Sequence, residues 1–215
     1  MQSGERTGPE GDGDHYFTAQ PASPADLRPL RVRLLDRDLD LVTAPGVFSP
    51  ARLDTGTQVL LRESPPPPEH GHLLDVGCGW GPISLTLAML SPQATVWGVD
   101  VNERSVGLLE RNAARAGASN VRAGRPDDVP DDVRFAAIWS NPPIRVGKTA
   151  LHELLLRWLP RLDAGASAYL VVQRNLGSDS LHRWLDEQLG PRGYTTSRHA
   201  SAKGFRVLQV TAPLS

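Results

Sequence analysis

The sequence predicts an α/β fold, in which a mostly parallel β-sheet is covered by helices on both faces. From residue 73 onward, short apolar runs alternate with segments that carry helix start and stop signals. A glycine-rich turn joins the first of these strands to its helix, and such alternation is typical of parallel sheets. The 215 residues, of which 40% are hydrophobic, suit one domain with a core large enough to fold alone.

The segment before this alternation differs from it in composition. Residues 1–14 are mostly Gly, Glu, Asp and Ser, which predicts a disordered tail. Residues 15–64 are predicted to form an N-terminal extension that packs on the core. In this extension, alternating apolar and charged residues predict two strands, at 30–35 and 39–43, with a hairpin turn at 36–38 between them. A capped helix is predicted at 54–62.

The main domain is predicted over residues 65–215 and begins with a stiff run of prolines, Pro65 to Pro68. Its predicted strands are 73–76, 95–100, 120–123, 135–140, 166–173, 195–199 and 206–211. Its predicted helices are 82–90, 103–116, 149–159 and 180–189. Pro82 suits the first turn of its helix, and Gly117 suits a helix end. The last two strands are expected to pair with each other and close the sheet.

Several classes of protein are disfavoured by simple counts. The one cysteine, Cys78, excludes an intramolecular disulfide and a cysteine-based metal site. The histidines His152, His182 and His199 lack the spacing of metal ligands, so no metal is expected. No apolar run has membrane-spanning length and no secretory pattern opens the chain, so we expect a cytoplasmic protein without a membrane partner.

Charge is distributed unevenly along the chain. The formal net charge is −1, but residues 141–206 hold ten Lys or Arg against five Asp or Glu, a net of +5 that leaves −6 for the remainder. A basic half of this kind can face nucleic-acid phosphates. It can equally consist of scattered, solvated arginines, and the charge pattern alone leaves both interpretations open.

The loop after the first strand of the main domain is predicted to bind a nucleoside. Asp75-Val76 runs into Gly77-Cys78-Gly79-Trp80-Gly81 and then into a helix, so bare backbone and a helix N-terminus are available to a ligand. The second strand ends at Asp100, whose carboxylate can hold both ribose hydroxyls. The glycine spacing differs from that of dinucleotide-binding proteins, which disfavours a nicotinamide dehydrogenase, and no Walker lysine follows it.

A second motif follows the strand predicted at 135–140. Asn141-Pro142-Pro143 is a rigid turn, because each proline fixes its own φ and restricts the residue before it. The Asn141 amide oxygen and the Pro142 carbonyl can then both accept hydrogen bonds from one amino group. Such a pair suits a conjugated amine, whose nitrogen is poorly nucleophilic until its lone pair is positioned.

These motifs belong to a longer set of stretches: His15-Tyr16-Phe17, Gly46 to Ser49, Asp54 to Thr57, Asp75 to Gly81, Gly98 to Asp100, Asn141 to Lys148 and Lys203 to Val207. Through them the chain resembles class I S-adenosylmethionine (SAM) dependent methyltransferases. The resemblance is greatest to the small-methyltransferase family that includes the ribosomal RNA guanine-N2 methyltransferases of the small subunit. It implies a Rossmann-like sheet of seven strands with an antiparallel last strand.

The resemblance also implies SAM as the cofactor and S-adenosylhomocysteine as the product. The residues it assigns to the cofactor are Asp75, Gly77, Cys78, Gly79, Gly81, Asp100, Val101 and Asn141. The transfer site that it implies comprises Asn141, Pro142, Pro143 and Ile144, with Ile144 against the face of the target group. Many relatives read the adenine amine with an acid after the glycine of the third strand; here that position is Arg125, and Asp127 or Asp128 is the expected substitute.

Four residues are predicted to bind the substrate. Arg145 and Lys148 directly follow the transfer site and are expected to contact phosphate. Phe48 is expected to close over SAM or the substrate together with Asp54 and Thr57, although these residues can equally support the first helix. Phe17 can stack on the target base as part of a lid, or it can pack the N-terminal arm onto the core.

The predicted activity is methyl transfer from SAM to a planar exocyclic amine, and guanine N2 of ribosomal RNA is the leading target. Ribosomal RNA or the small ribosomal subunit is therefore the expected partner. Two other targets remain, a glutamine side-chain amide in a protein and adenine N6 in nucleic acid. From another class, a non-catalytic nucleoside-binding assembly module is the alternative, although such a module has no use for two aimed acceptors.

Overall fold

The described part of the chain begins with an antiparallel hairpin and a helix. The protein is represented by a computed structural model that describes residues 27–214, so Phe17 and the tail predicted at 1–14 lie outside the described residues. The hairpin joins β1 (Arg28–Leu34) to β2 (Arg37–Thr43), and helix α1 (Thr55–Glu63) follows. None of the helices described is long and apolar enough to cross a membrane.

A seven-stranded sheet forms the centre of the main domain. Its strands are β3 (His72–Val76), β4 (Thr95–Val99), β5 (Val121–Gly124), β6 (Phe135–Ser140), β7 (Leu162–Gln173), β8 (Thr195–Ala202) and β9 (Phe205–Thr211). The helices between them are α2 (Pro82–Leu90), α3 (Glu103–Ala116), α4 (Lys148–Trp158) and α5 (Ser178–Leu189). Two hydrophobic clusters, one containing Leu73 and Val96 and the other Leu74 and Phe135, surround the sheet.

The strand order is β5-β4-β3-β6-β7-β9-β8. Strands β3 to β7 pair in parallel, whereas β9 lies antiparallel between β7 and β8. The predicted α/β fold with an antiparallel last strand is therefore confirmed. The chain moves from β3 toward β5 on one side and then returns to build β6 and β7 on the other. Ligands of open α/β sheets gather at the carboxyl ends of strands at such a reversal.

Most predicted elements agree with the structure, and two differ for identifiable reasons. The hairpin turn predicted at 36–38 is a two-residue turn at Leu35 and Asp36, with Leu34 opposite Arg37 and a left-handed φ of 53° at Leu35. Two-residue turns with positive φ match the twist of paired strands. Strand β7 begins at Leu162, before the predicted 166, because an irregular register lets Leu162 pair with Phe135 ahead of the regular ladder.

The N-terminal hairpin is attached to the main domain by apolar packing and by one buried asparagine. Leu34, Leu41 and Val59 lie in the same hydrophobic cluster as Leu73. The fully buried Asn112 of α3 accepts a hydrogen bond from the Val42 backbone N–H at 2.8 Å and donates to the Val42 carbonyl at 2.9 Å. Its amide thus replaces a missing strand neighbour for β2 and satisfies backbone groups that burial would otherwise leave unpaired.

Candidate active site

The sheet register brings three predicted site residues together. Val76 pairs with Val99 on one side and with Ser140 on the other. The residues that follow these three, Gly77, Asp100 and Asn141, therefore leave adjacent parallel strands at the same level. The glycine loop, the acid and the Asn-Pro-Pro turn are neighbours because of strand pairing, although they are far apart in the chain.

The glycines of the loop after β3 leave space in front of the sheet. Gly77 and Gly79 have left-handed φ values of 79° and 56°, and a Cβ built on either would meet nothing within 4 Å. The loop is fixed from behind, because Gly77 and Cys78 donate their N–H groups to the Val99 carbonyl at 2.8 and 3.0 Å. A rigid loop with bare, open backbone is a cradle that fits a closely approaching ligand such as SAM.

Gly81 has a different role. It is the N-cap of α2 with a φ of 101°, and a Cβ there would fall 2.6 Å from Leu109 Cδ1. This glycine therefore allows α2 and α3 to approach each other, and its predicted contact with the cofactor stays a prediction. Cys78 is buried, and burial raises the pKa of its thiol well above the ordinary value, which keeps the group protonated.

Asp100 is held as a rigid acceptor at the end of β4. Its Oδ2 accepts a hydrogen bond from the Gly79 N–H at 3.1 Å, and its Oδ1 accepts one from the Asn102 N–H at 2.9 Å. Burial raises the pKa of this carboxyl, while the hydrogen bonds from Asn102 and Gly79 oppose the rise. The carboxylate lines the cavity described below, where an acceptor suits the hydroxyls of a ribose.

Asp75 lies behind the glycine loop and does not line the cavity described below. It is wholly buried, and its Oδ2 accepts hydrogen bonds from the Ser84 N–H at 3.0 Å and the Ser84 hydroxyl at 2.6 Å. Its Oδ1 has no hydrogen-bond partner among the described residues. Burial raises the pKa of this carboxyl to about 7. The unpartnered oxygen suits a donor group of a bound ligand or a water, so the predicted contact stays a prediction.

Asn141 is held in one orientation by two residues of the N-terminal extension. Its side-chain Nδ2 donates to Asp54 Oδ2 at 2.9 Å and to Thr57 Oγ1 at 3.0 Å. Both donors of the amide are then used, and its Oδ1 has no partner among the described residues. Asn141 lines the cavity together with the buried Pro142, so the group it can offer to a ligand is an acceptor.

A cavity of about 470 Å³ lies in front of these residues. Its walls include predicted site residues from separate segments of the chain, namely Phe48, Gly77, Asp100, Val101, Asn141, Pro142, Pro143 and Ile144. A narrower cleft continues from it along Gly77, Cys78 and Gly79 and shares Asn141. The cavity and cleft therefore join the glycine cradle to the Asn-Pro-Pro turn.

The mouth of the cavity carries exposed apolar side chains. Phe48, Val101 and Leu176 are 41%, 43% and 42% exposed, although they are large hydrophobic residues. All three line the cavity. Exposed apolar surface beside a polar wall is typical of a site for a flat, partly apolar ligand such as a purine.

Asp127, Asp128 and Lys148, like Asp75, are not among the residues that line the cavity. The Asp127 carboxylate accepts a hydrogen bond from Arg157 Nη2 at 2.7 Å on the surface, and its neighbour Pro126 lines the cavity in its place. Asp128 is used locally, because its Oδ2 accepts from the Arg125 N–H at 2.6 Å. The Asp127 side chain is thus paired with Arg157, and its predicted adenine contact stays a prediction. Lys148 is exposed at the start of α4, and the Arg145 side chain lies outside the described residues.

The cavity also contains residues that the sequence did not predict. Gln173 ends β7 and Leu176 follows it, while Phe205 opens β9. Gln173 follows a buried strand at the same sheet edge as Asn141, and this position was the signal that could have identified it. Phe205 belongs to one of the stretches on which the family resemblance rests. Leu154 and Trp158 of α4, by contrast, carry only the pattern of a helix that packs on the core.

The model of the Methyltransferase small domain family matches residues 38–209. The chain belongs to this family. An uncharacterized protein of Bacillus subtilis, YbxB, is 34% identical over 177 residues, which are 81% of this chain and 88% of that protein. The ribosomal RNA small subunit methyltransferase C of Pseudomonas paraeruginosa is 34% identical over 203 residues, 90% of this chain and 58% of that protein.

A solved methyltransferase has a similar structure. The 16S rRNA N2 methyltransferase RsmC of Thermus thermophilus, in complex with AdoMet and guanosine, superimposes with a TM-score of 0.73 at 26% identity. The match covers 89% of this chain and 52% of that chain. The chain thus spans about half the length of the methyltransferase C relatives that it matches.

Proposed function

We propose that this protein is a SAM-dependent N-methyltransferase that modifies the exocyclic N2 of a guanine in ribosomal RNA. The observation that carries the proposal is the hydrogen bonding of the Asn141 side-chain amide. Both donors of its amide are bound by Asp54 and Thr57, so its oxygen is the group left for a target in the cavity. The same cavity reaches Gly77 and Asp100, where a nucleoside cofactor fits.

The cofactor fits the glycine side of the cavity on chemical grounds. The open backbone at Gly77 and Gly79 admits the chain of the ligand, and the Asp100 carboxylate accepts from ribose hydroxyls. Val101 follows Asp100 and offers an exposed apolar surface to the adenine ring. When bound, SAM supplies a sulfonium methyl carbon, which bonds to the target nitrogen as its bond to sulfur breaks, leaving S-adenosylhomocysteine.

The protein's contribution is to position a weak nucleophile. The N2 amino group of guanine is conjugated with its ring, so its lone pair is delocalised. Asn141 Oδ1 and the Pro142 carbonyl accept its two N–H bonds, which favours a pyramidal nitrogen with its lone pair aimed toward the cradle. Neither acceptor is basic enough to retain a proton, so the proton released after transfer passes to water.

Guanine in ribosomal RNA is supported as the target by the relatives. The methyltransferase C proteins are named for the small-subunit ribosomal RNA, and the Thermus thermophilus member is named for N2 of a guanosine. The apolar mouth formed by Phe48 and Leu176 suits a purine, and the Gln173 amide can both donate to and accept from its edge.

The direct test is incubation of the purified protein with SAM that carries a labelled methyl group, together with small ribosomal subunits or free ribosomal RNA. Digestion to nucleosides and mass mapping should find the label in N2-methylguanosine. Asn141→Ala should abolish the product while calorimetry still detects SAM binding. Label in a glutamine side chain or in N6-methyladenosine would contradict the proposed target, and SAM binding without any transfer would favour the non-catalytic module.

A further inference from the structure

We infer that Asp54 and Thr57 are positioning residues, which determine the end of the Asn141 amide that faces the target amine. The expected effect on catalysis rests on the proposed function, since the inference concerns the same site. The hydrogen-bonded orientation of the Asn141 amide does not depend on which substrate binds. Two side chains from the N-terminal extension set the orientation of a side chain that lies 87 residues further along the chain than Asp54.

The two acceptors are themselves firmly held. Asp54 is the N-cap of α1, and its Oδ2 accepts from the Thr57 N–H at 3.1 Å as well as from Asn141. Thr57 is buried in the first turn of the helix, with 3% of its surface exposed. A short helix turn thus presents two oxygens to one NH₂ group, and each can take one of its hydrogens.

The chemistry of the carboxylate makes the orientation unambiguous. A carboxylate has no hydrogen to donate, so only the NH₂ end of Asn141 can face Asp54 favourably. A flipped amide would place its oxygen against the carboxylate oxygen, and its NH₂ group would then face the target amine. Two donors would meet at the reaction site, and the target N–H bonds would lose an acceptor. Asp54 and Thr57 therefore select the orientation that can act on an amine.

A second contact explains why this turn requires a glycine. A Cβ on Gly56 would fall 2.9 Å from Phe205 Cε1 and 3.0 Å from Asp54 Oδ2. The Phe205 ring also lines the cavity. Only glycine allows the ring to pack directly on the turn without displacing the carboxylate. Direct contacts therefore join three stretches that are far apart in the chain, namely those around Asp54 to Thr57, Asn141 and Phe205.

The test removes the two acceptors while the helix cap is retained. Asp54→Ser preserves an N-cap oxygen for Thr57 but is too short to reach Asn141, and Thr57→Val removes the hydroxyl with little change in shape. The double variant combines the two changes. Asp54→Asn is the conservative variant, because its amide oxygen still accepts. Thr55→Val is the matched control, since Thr55 is exposed in the same turn.

The expected result is a loss of kcat by up to about 100-fold in the double variant. This is the lower end of the loss of about 10²–10³ for removal of a preorganised hydrogen-bonding group, because Asn141 itself remains. SAM affinity should fall much less than kcat, because Gly77 and Gly79 form the cradle itself and Asp54 and Thr57 only line the cleft beside it. Thr55→Val should retain the wild-type kcat. Asp54→Asn should fall between the wild type and the double variant, because its amide oxygen still accepts but its NH₂ group can also face Asn141. A double variant with the wild-type kcat, or one whose kcat falls only in proportion to lost SAM binding, would overturn the inference.

A second measurement separates this inference from the proposed function. In ¹⁵N-labelled protein, the Asn141 side-chain NH₂ protons should exchange slowly with solvent, and exchange should accelerate in Thr57→Val and in the double variant. Slow exchange in a wild-type protein that methylates no RNA would leave the positioning role intact and refute the function. Equally slow exchange in Thr57→Val and the double variant would refute the positioning role even if methylation proceeds.

Discussion

At the scale of single residues, glycines in and around the cofactor loop serve two different purposes. Gly79 has a left-handed φ and open space where a side chain would be, so its bare backbone suits a ligand. Gly98 of β4 has no such space, since a Cβ there would fall 2.2 Å from Leu109 Cδ2 and 2.6 Å from Ser84 Oγ. The first position concerns binding, and the second concerns packing.

Alanine substitution should distinguish these purposes. Gly79→Ala should lower SAM affinity strongly while costing about 1–2 kcal/mol of unfolding free energy, the usual strain of a left-handed residue. Gly98→Ala should cost about 1–3 kcal/mol through overpacking. Calorimetric titration with SAM and urea unfolding provide the two measurements. Wild-type SAM affinity in Gly79→Ala would contradict the role of the cradle.

Asp75 gives a prediction about pH. Burial raises the pKa of its carboxyl from 3.8 to about 7, so the folded protein keeps this proton where the unfolded chain loses it. The stabilising contribution is complete below pH ~4 and is lost as the pH rises through 7, a change on the order of 4 kcal/mol. In urea unfolding from pH 4 to 8, the wild type should lose stability relative to Asp75→Asn. If the unfolding free energies of the two proteins changed with pH in the same way, Asp75 would have an ordinary pKa in the folded protein.

At the scale of elements, the sequence predicted the strands and helices well because their signals are local. Pro82 begins α2 and Gly117 ends α3 in a left-handed conformation, as each residue's backbone preference dictates. Strand order is also implied, so the proximity of Gly77, Asp100 and Asn141 could be anticipated. The contact of Asn141 with Asp54 could not, because it depends on how α1 packs against β7 and β9. The pairing of Asp127 with Arg157 could not be anticipated either, because Arg157 lies on α4, 30 residues further along the chain.

The packing of α1 can be tested through its glycine. Gly56→Ala should push the Asp54 carboxylate or the Phe205 ring aside, since its Cβ would lie about 3 Å from both. We expect kcat to fall more than SAM affinity does. The matched control is Gly107→Ala in α3, where a Cβ meets nothing within 4 Å and alanine should stabilise the helix by about 0.4–1 kcal/mol. Equal methylation rates in the two variants would contradict the role assigned to the turn.

At the scale of the whole molecule, the N-terminal extension contacts the main domain on both the cofactor side and the target side of the active site. Trp80 of the glycine loop donates its indole N–H to the Ser49 carbonyl at 3.2 Å, and Asn112 donates to the Trp80 carbonyl at 2.8 Å. The extension is thus bound to the cofactor loop as well as to Asn141. Removal of the extension should therefore disturb both halves of the active site.

The uneven charge of the chain gives a prediction for RNA binding. Residues 141–206 carry a net charge of +5 and include Arg145 and Lys148, which we expect to contact phosphate. Charge reversal of both residues should weaken RNA binding and reduce the slope of log affinity against log salt by about 2, one phosphate contact for each residue. Arg31→Glu with Arg33→Glu in the hairpin is the control for net charge. An equal slope change in the control would contradict a local phosphate contact.

The most direct measurement is a crystal structure of the protein with S-adenosylhomocysteine and guanosine. The guanine N2 should lie within about 3.2 Å of both Asn141 Oδ1 and the Pro142 carbonyl, with Asn141 Nδ2 still bound to Asp54 and the homocysteine sulfur on the same side as Gly77 and Gly79. A guanosine bound elsewhere, or an Asn141 amide that turns its NH₂ group toward the base, would contradict the arrangement.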